Sequence, residues 1–178
     1  MSEEKAKLVY CGKFLQFKMK GTWEFVERDH GTGVVAVLAI TERRELVLIE
    51  QLRVALGKRI IELPAGLAGD VAGEEHEALA VAAQRELREE TGYEADAMEY
   101  LTEGPSSAGL TTEMITFFRA NGLRKVGPGG GDSNENIVVH LVPLAEFDAW
   151  IAGKLREGCV VDYKIYAALC FEYRKLIF

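Results

Sequence analysis

The hydrophobic and polar positions follow a strand period first and a helical one only later. "LVYCGKFLQFKM" (8–19) and "GTWEFVERD" (21–29) read as an antiparallel start broken at Gly21. "GVVAVLAI" (33–40) and "ELVLIEQLRV" (45–54) are β-branched runs around a polar turn, Thr41 to Arg44. Such runs predict paired, largely buried strands. "RIIELPAG" (59–66) predicts a short strand stopped by Pro64 and Gly66. Residues 67–73 are small and Gly-containing, hence a loop. From Glu74 to Thr91 the strong helix formers Ala, Leu, Glu, Arg and Gln dominate, and Gly92 is a natural stop. Strands are expected near 95–102, 113–120 and 136–142, with a Gly-rich mobile loop at 125–136. Pro143 opens a helix to about Ala152, and Val161 to Leu176 makes the last one. Strands and helices are mixed, so the expected fold class is an α+β or α/β sandwich. No G-x-G-x-x-G follows a first strand and no G-K-[ST] loop is present, which excludes a doubly wound nucleotide fold and a P-loop.

Composition narrows the partners. The 178 residues suit one domain, or one domain with a small appendage. Hydrophobic residues at 48% and charged residues at 28% exclude wholesale disorder. The net charge of −7, with no basic run, argues against nucleic acid and anionic membrane as partners. A small polyphosphate still binds such a chain if a metal supplies positive charge. The longest apolar run, Gly33 to Ile40, is too short to span a bilayer, and "MSEEKAKLVY" has no apolar signal core. Cys11, Cys159 and Cys170 form no C-x-x-C pair and read as free thiols in a reducing cytoplasm. His30, His76 and His140 make no zinc spacing.

The predicted helix breaks its own amphipathic pattern. At about 100° per residue, Leu79, Ala83 and Leu87 form the apolar stripe, with Ala80 at its edge. Gln84 and Arg88 point away. Glu86 and Glu90 fall beside Leu79 and Ala83, on the inward side, and Glu89 lies one flank over. Like charges four residues apart destabilise a helix, and facing a core they also lose solvation. A divalent cation with oxygen ligands would compensate. An exposed acidic face on a rotated helix is the alternative. Glu77 stands eight residues before Arg85, too far for a neighbour contact along a helix. Spacing favours two unrelated solvated charges, and a contact would have to be made from the helix start or the loop.

"GLAGDVAGEEHEALAVAAQRELREETGY" (66–93) closely resembles the Nudix box, G-x5-E-x7-R-E-U-x-E-E-x-G-U with U a bulky apolar residue. Glu77 and Arg85 through Gly92 fit without a gap. Gly66 lies eleven residues before Glu77 where the pattern has six, and Tyr93 replaces the final aliphatic. "GKF" (12–14), "WEFVER" (23–28), "EQLR" (50–53), "ELPAG" (62–66) and "NENIVVHLV" (134–142) are similar to the ADP-ribose or nucleoside-diphosphate-sugar pyrophosphatase branch. The resemblance implies the fold class α+β, an α/β/α sandwich, with a small N-terminal antiparallel β subdomain at 1–32 and a Nudix hydrolase domain at 33–178. It also implies a homodimer with exchanged N-terminal parts. The implied reaction is Mg²⁺-dependent hydrolysis of the pyrophosphate, Mn²⁺ being a substitute. ADP-ribose would give AMP and ribose 5-phosphate.

Carried over residue by residue, the resemblance puts the metal on Glu86, Glu89, Glu90 and the carbonyl of Ala65. Arg85 would orient the glutamates. Arg53 would contact phosphate or ribose, as suits a planar cation. Glu62, an acid in an apolar strand, needs a partner such as Arg53 or a sugar hydroxyl. Phe14 and Trp23, with Arg28 nearby, would sandwich the base from two subunits. The general base is expected at Glu135, with Asp132 on the same loop as the alternative. The glycines at 127 and 129–131 would let that loop close. Ala108 stands where ADP-ribose enzymes commonly have Pro, leaving room for other sugars. Competing readings are another nucleoside diphosphate derivative, such as a dinucleoside polyphosphate or GDP-mannose, or a non-catalytic nucleotide-sugar sensor.

Overall fold

The computed structural model describes residues 5–29, 33–69, 73, 76–131 and 136–174. Its first strands are β1 (Lys7–Cys11), β2 (Leu15–Lys20) and β3 (Trp23–Arg28), an antiparallel sheet in that order. The single strand expected over 8–19 is divided at Gly12–Phe14, where Gly12 N–H donates to the Leu15 carbonyl at 2.8 Å. None of residues 5–29 is buried. A small sheet with no buried face has little to stabilise it alone.

The continuous apolar runs become strands covered on both faces. These are β4 (Gly33–Ala39), β5 (Glu45–Arg53), β6 (Lys58–Glu62) and β7 (Ala65–Ala68). The expected strand 59–66 is thus two strands divided at Pro64, whose carbonyl accepts from Val37 N–H at 2.8 Å. After helix α1 (Leu79–Thr91) come β8 (Tyr93–Glu94), β9 (Ala97–Pro105), β10 (Met114–Asn121), β11 (Arg124–Lys125) and β12 (Val138–Pro143). A 3-10 turn leads into α2 (Phe147–Arg156), then β13 (Val160–Val161) and α3 (Lys164–Arg174). One sheet runs β7-β4-β10-β9, with β4 and β10 parallel, and another runs β12-β5-β6-β13. The β4 and β5 runs are buried as expected but are not a pair. They enter different sheets, joined by the isolated Ile40–Leu46 bridge and by side chains that share the core. Each finds better partners elsewhere, β10 for β4 and β12 for β5.

Alternation along β4 assigns its two faces. Val35, Val37 and Ala39 pack with Ala82, Ala83 and Leu87 of α1. Ala36 and Leu38 pack with Phe147 and Ile151 of α2 and with Ile165, Ala168 and Leu169 of α3. The sheets therefore lie between α1 on one side and α2 with α3 on the other, the expected α/β/α sandwich. The last helix starts three residues later than its pattern suggested, because Val160 and Val161 pair with β6 and Asp162 accepts from Lys164 N–H at 2.8 Å. The segment after β9 ties the layers together. Val26 N–H donates to the Leu110 carbonyl at 2.9 Å, and Tyr163 Oη donates to the Ser106 carbonyl at 3.2 Å.

Candidate active site

Helix α1 begins at Leu79, five residues after the sequence pattern placed it, because Ala78 is extended at φ −67° and ψ 138°. Glu77 therefore lies before the helix and folds back onto it. Both its oxygens meet Arg85, at 3.2 Å from Nε and 3.1 Å from Nη2. Spacing favoured two unrelated charges; the extended residue ahead of the helix instead makes them a bidentate pair. Arg85 also donates to the Leu67 carbonyl at 2.8 Å, to Glu86 Oε1 at 2.8 Å and to Glu89 Oε2 at 3.2 Å. Hydrogen bonds from Arg85 hold the Glu77 carboxyl below its ordinary pKa. Burial alone would lower the pKa of Arg85, but Glu77 and Glu86 outweigh it and raise it. The charge on Arg85 is thus permanent.

The inward placement of Glu86 and Glu90 holds. They are 9% and 3% exposed, whereas Ala80, expected at the edge of the stripe, is exposed and Ala82 is buried. Ala65 N–H donates to Glu90 Oε2 at 2.9 Å. A Cβ on Gly66 would stand 2.0 Å from the Glu86 carboxyl carbon, so only glycine lets that carboxylate lie on the backbone of β7. Both glutamates open into a cleft of about 460 Å³. Its other charged walls are Arg28, Arg53, Glu62, Glu113 and Lys164. Arg53 Nε donates to Glu62 Oε2 at 2.8 Å, and Arg28 Nε to Glu113 Oε2 at 2.7 Å. Lys164 pairs with Asp162. The sequence reading missed Glu113 and Lys164 as cleft residues; neither carries a local signal, and only the approach of β10 and α3 brings them in.

Glu89 stands apart from this pair. Its side chain is 55% exposed and it lines a larger, open groove of about 820 Å³ on the outer side of α1, together with Val81, Gln84, Arg88 and Met98. That groove lacks the buried glutamates, so the smaller cleft is the better candidate. Among the described residues no three His, Cys, Asp or Glu side chains already converge on one point. Arg85 Nη1 lies between Glu86 and Glu89 and joins them. The donor chemistry nonetheless fits a hard divalent cation, with carboxylates one turn apart on a rigid helix and the Gly66 backbone leaving room beside them.

The two aromatic residues are exposed, Phe14 at 64% and Trp23 at 71%. They sit at opposite ends of the β2–β3 hairpin, since Leu15 pairs with Arg28 and Lys20 with Trp23. At a rise of about 3.4 Å per residue they are roughly 20 Å apart. One copy of the chain does not bring them onto one base. Glu135 and Asp132 lie outside the described residues. The glycines before them are not the free hinges that composition suggested. Gly129, Gly130 and Gly131 have φ of 72°, 111° and 76°, and a Cβ on Gly129 would lie 2.4 Å from the Thr91 carbonyl carbon. They are packed on the end of α1.

Comparison with known proteins agrees with this geometry. The chain is 43% identical over 137 residues to the methanol dehydrogenase activator of Bacillus methanolicus, covering 77% of this chain and 70% of that protein. It is 36% identical over 139 residues to the GDP-mannose pyrophosphatase of Citrobacter koseri, covering 75% and 71%. It is 36% identical over 115 residues to the ADP-ribose pyrophosphatase of Mycobacterium tuberculosis, covering 64% of this chain and only 54% of that protein. A crystal structure of an ADP compounds hydrolase superposes with a TM-score of 0.64 over 83% of this chain and 80% of that one, at 18% identity, a likeness of fold. The profile of the NUDIX domain matches residues 29–169, and the chain belongs to the Nudix domain family.

Proposed function

We propose that this Nudix pyrophosphohydrolase cleaves the pyrophosphate of nucleoside-diphosphate sugars with Mg²⁺, Mn²⁺ serving as a substitute, and that ADP-ribose, giving AMP and ribose 5-phosphate, is its first substrate. The observation that carries this is the placement of Glu86 and Glu90, buried on the floor of a cleft whose wall holds Arg28, Arg53 and Lys164. Glu86, Glu89, Glu90 and the Ala65 carbonyl would hold the cation. When bound, it neutralises charge on the departing phosphate oxygen and lowers the pKa of a water.

The chain's own residues do the rest. Arg28 and Arg53 each commit Nε to a carboxylate, which fixes the guanidinium plane. Phosphate oxygens are then met by the Nη groups. Arg85, held by Glu77, orients Glu86 and Glu89 and does not touch substrate. Glu135 takes the proton of a water as its oxygen bonds to phosphorus and the bridging P–O bond breaks. Ala108 and the relatives named for GDP-mannose favour a second reading in which the sugar is a hexose. ADP-ribose, ADP-glucose, GDP-mannose and NAD⁺, which carries the same ADP-ribosyl pyrophosphate, form the test panel, with products identified for each. Release of a nucleoside monophosphate from ADP-ribose, lost by orders of magnitude in Glu86→Gln and Glu90→Gln, is expected. No product from any of the four, or wild-type rates in both variants, rejects the reading.

The N-terminal segment, residues 1–32, acts as a dimerisation subdomain of a 33–178 hydrolase domain. That none of its described residues is buried supports this, as do exposed Leu8, Val9, Tyr10, Phe14, Leu15 and Trp23. A second copy would cover that surface and bring Trp23 of one chain toward Phe14 of the other. Among the described residues no helix is long and apolar enough to cross a membrane. All three cysteines are free, Cys11 and Cys170 being exposed, which suits a reducing cytoplasm.

A further inference from the structure

The segment after β11 is built onto the last turn of α1. A helix leaves its final carbonyls without partners inside it. Here they are met by a segment that lies 34 residues or more further along the chain. Lys125 Nζ donates to the Thr91 carbonyl at 2.7 Å. Val126 N–H and Gly127 N–H both donate to the Gly92 carbonyl, at 2.8 and 3.1 Å. Gly130 N–H donates to the Glu90 carbonyl at 2.8 Å and Gly131 N–H to the Glu89 carbonyl at 3.1 Å. The fit leaves no space for a side chain at Gly92 or Gly129, since a Cβ on Gly92 would lie 2.1 Å from the Gly127 oxygen and one on Gly129 2.4 Å from the Thr91 carbonyl carbon. Lys125 also puts a cation at the negative end of the helix dipole. None of residues 125–131 lines the cleft.

We propose that Lys125 and the glycine clasp 126–131 are positioning elements for the glutamates of α1. By holding the main chain of Glu89 and Glu90, the clasp keeps those carboxylates in register with Glu86 and with the Ala65 amide that Glu90 accepts from. Without it the final turn frays, as helix ends do, and the Glu90 carboxylate moves while Glu86, a full turn earlier, does not. The proposal rests on the reading of Glu86, Glu89 and Glu90 as cation ligands.

The test measures Mn²⁺ binding by electron paramagnetic resonance on the full chain without substrate. Wild type, Lys125→Met, Lys125→Arg, Gly129→Ala and Glu90→Gln are compared, alongside the Mg²⁺ requirement of hydrolysis and the melting temperature. Lys125→Met keeps the aliphatic stem and removes the donor. It is expected to weaken Mn²⁺ by about 10-fold, the scale of a ligand-orienting partner, with substrate KM at saturating Mg²⁺ unchanged. Lys125→Arg should recover most of the loss. Gly129→Ala should weaken Mn²⁺ at least as much where it folds; Lys125→Met decides the matter where it does not. If Lys125→Met lowers the melting temperature and leaves Mn²⁺ affinity at the wild-type value, the clasp is only structural and the proposal is overturned. If Glu90→Gln binds Mn²⁺ as wild type does, the ligand reading itself fails and the proposal falls with it. The Glu90→Gln result therefore tells the two failures apart.

Discussion

Gly66 and Glu86 show how little tolerance the site has at the level of single atoms. The carboxylate of Glu86 occupies the space where any other residue at 66 would carry its Cβ. Gly66→Ala must push that carboxylate off β7, and Arg85, bonded to Glu86 Oε1 at 2.8 Å, resists the movement. A misplacement of about 1 Å at a reacting centre costs on the order of 10²-fold in rate. Gly66→Ala is therefore expected to lower kcat by roughly that factor with little change in melting temperature, because the displaced group is a side-chain end in a cleft. Steady-state kinetics and thermal melts on one preparation check this; an unchanged kcat would place the working carboxylates elsewhere. At the same scale, Glu135→Gln should lose about 10²–10⁴-fold in kcat with KM retained, the usual worth of a general base. Asp132→Asn made in parallel locates the base within its loop: the slower variant identifies it.

Between elements, a buried electrostatic join gathers on Glu50, which is absent from the lining of the cleft. Glu50 of β5, 7% exposed, meets Arg59 of β6, His140 of β12 at 2.9 Å and Lys154 of α2 at 3.0 Å. Burial by itself would raise its pKa, but hydrogen bonds from Arg59, Lys154 and His140 prevail and bring it from 4.5 to about 2. The folded state thus binds this proton less readily than the unfolded one. Its stabilisation is complete above pH 4.5 and fades as pH falls toward about 2. The shift corresponds to on the order of 3 kcal/mol. Urea unfolding of wild type should weaken across that window, and Glu50→Gln should be less stable at pH 7 with a flatter acid profile. A parallel loss in both proteins would assign acid sensitivity to other carboxylates, Glu77 first, since its pKa is also lowered.

For the whole molecule, the proposed base site would need two copies, because Phe14 and Trp23 stand roughly 20 Å apart on the β2–β3 hairpin. Trp23→Ala is expected to raise KM with a smaller loss of kcat, because stacking acts equally on substrate and transition state. The contribution is roughly 1–3 kcal/mol. Since Trp23 is 71% exposed, its loss should leave the melting temperature of the monomer near wild type. Sedimentation and activity followed on dilution test the same idea: activity should fall together with the dimer. Activity that persists in a monomer would remove the shared site.

The helix and its chemistry were legible in the sequence because both depend on neighbours. Leu79, Ala83 and Leu87 set the apolar stripe, the four-residue interval puts Glu86 and Glu90 on one face beside it, and the docking of α1 buries both acids. The strands were legible as strands for the same reason, their period of two being local. Which strands pair was decided by tertiary structure alone: both β4 and β5 hold continuous buried apolar runs, and nothing within either run says that one takes β10 and the other β12. Local pattern encodes period and burial, while partnership depends on residues far apart in the chain. That is why spacing disfavoured the contact Glu77 makes with Arg85 from outside the helix, and why Lys164 entering the cleft on α3 and Gly129 closing on Thr91 were invisible beforehand. Glycine shows the limit most clearly. Composition reports only that its backbone is free to turn, and the fold uses that freedom at 129–131 to bring Gly130 and Gly131 N–H onto the last carbonyls of α1.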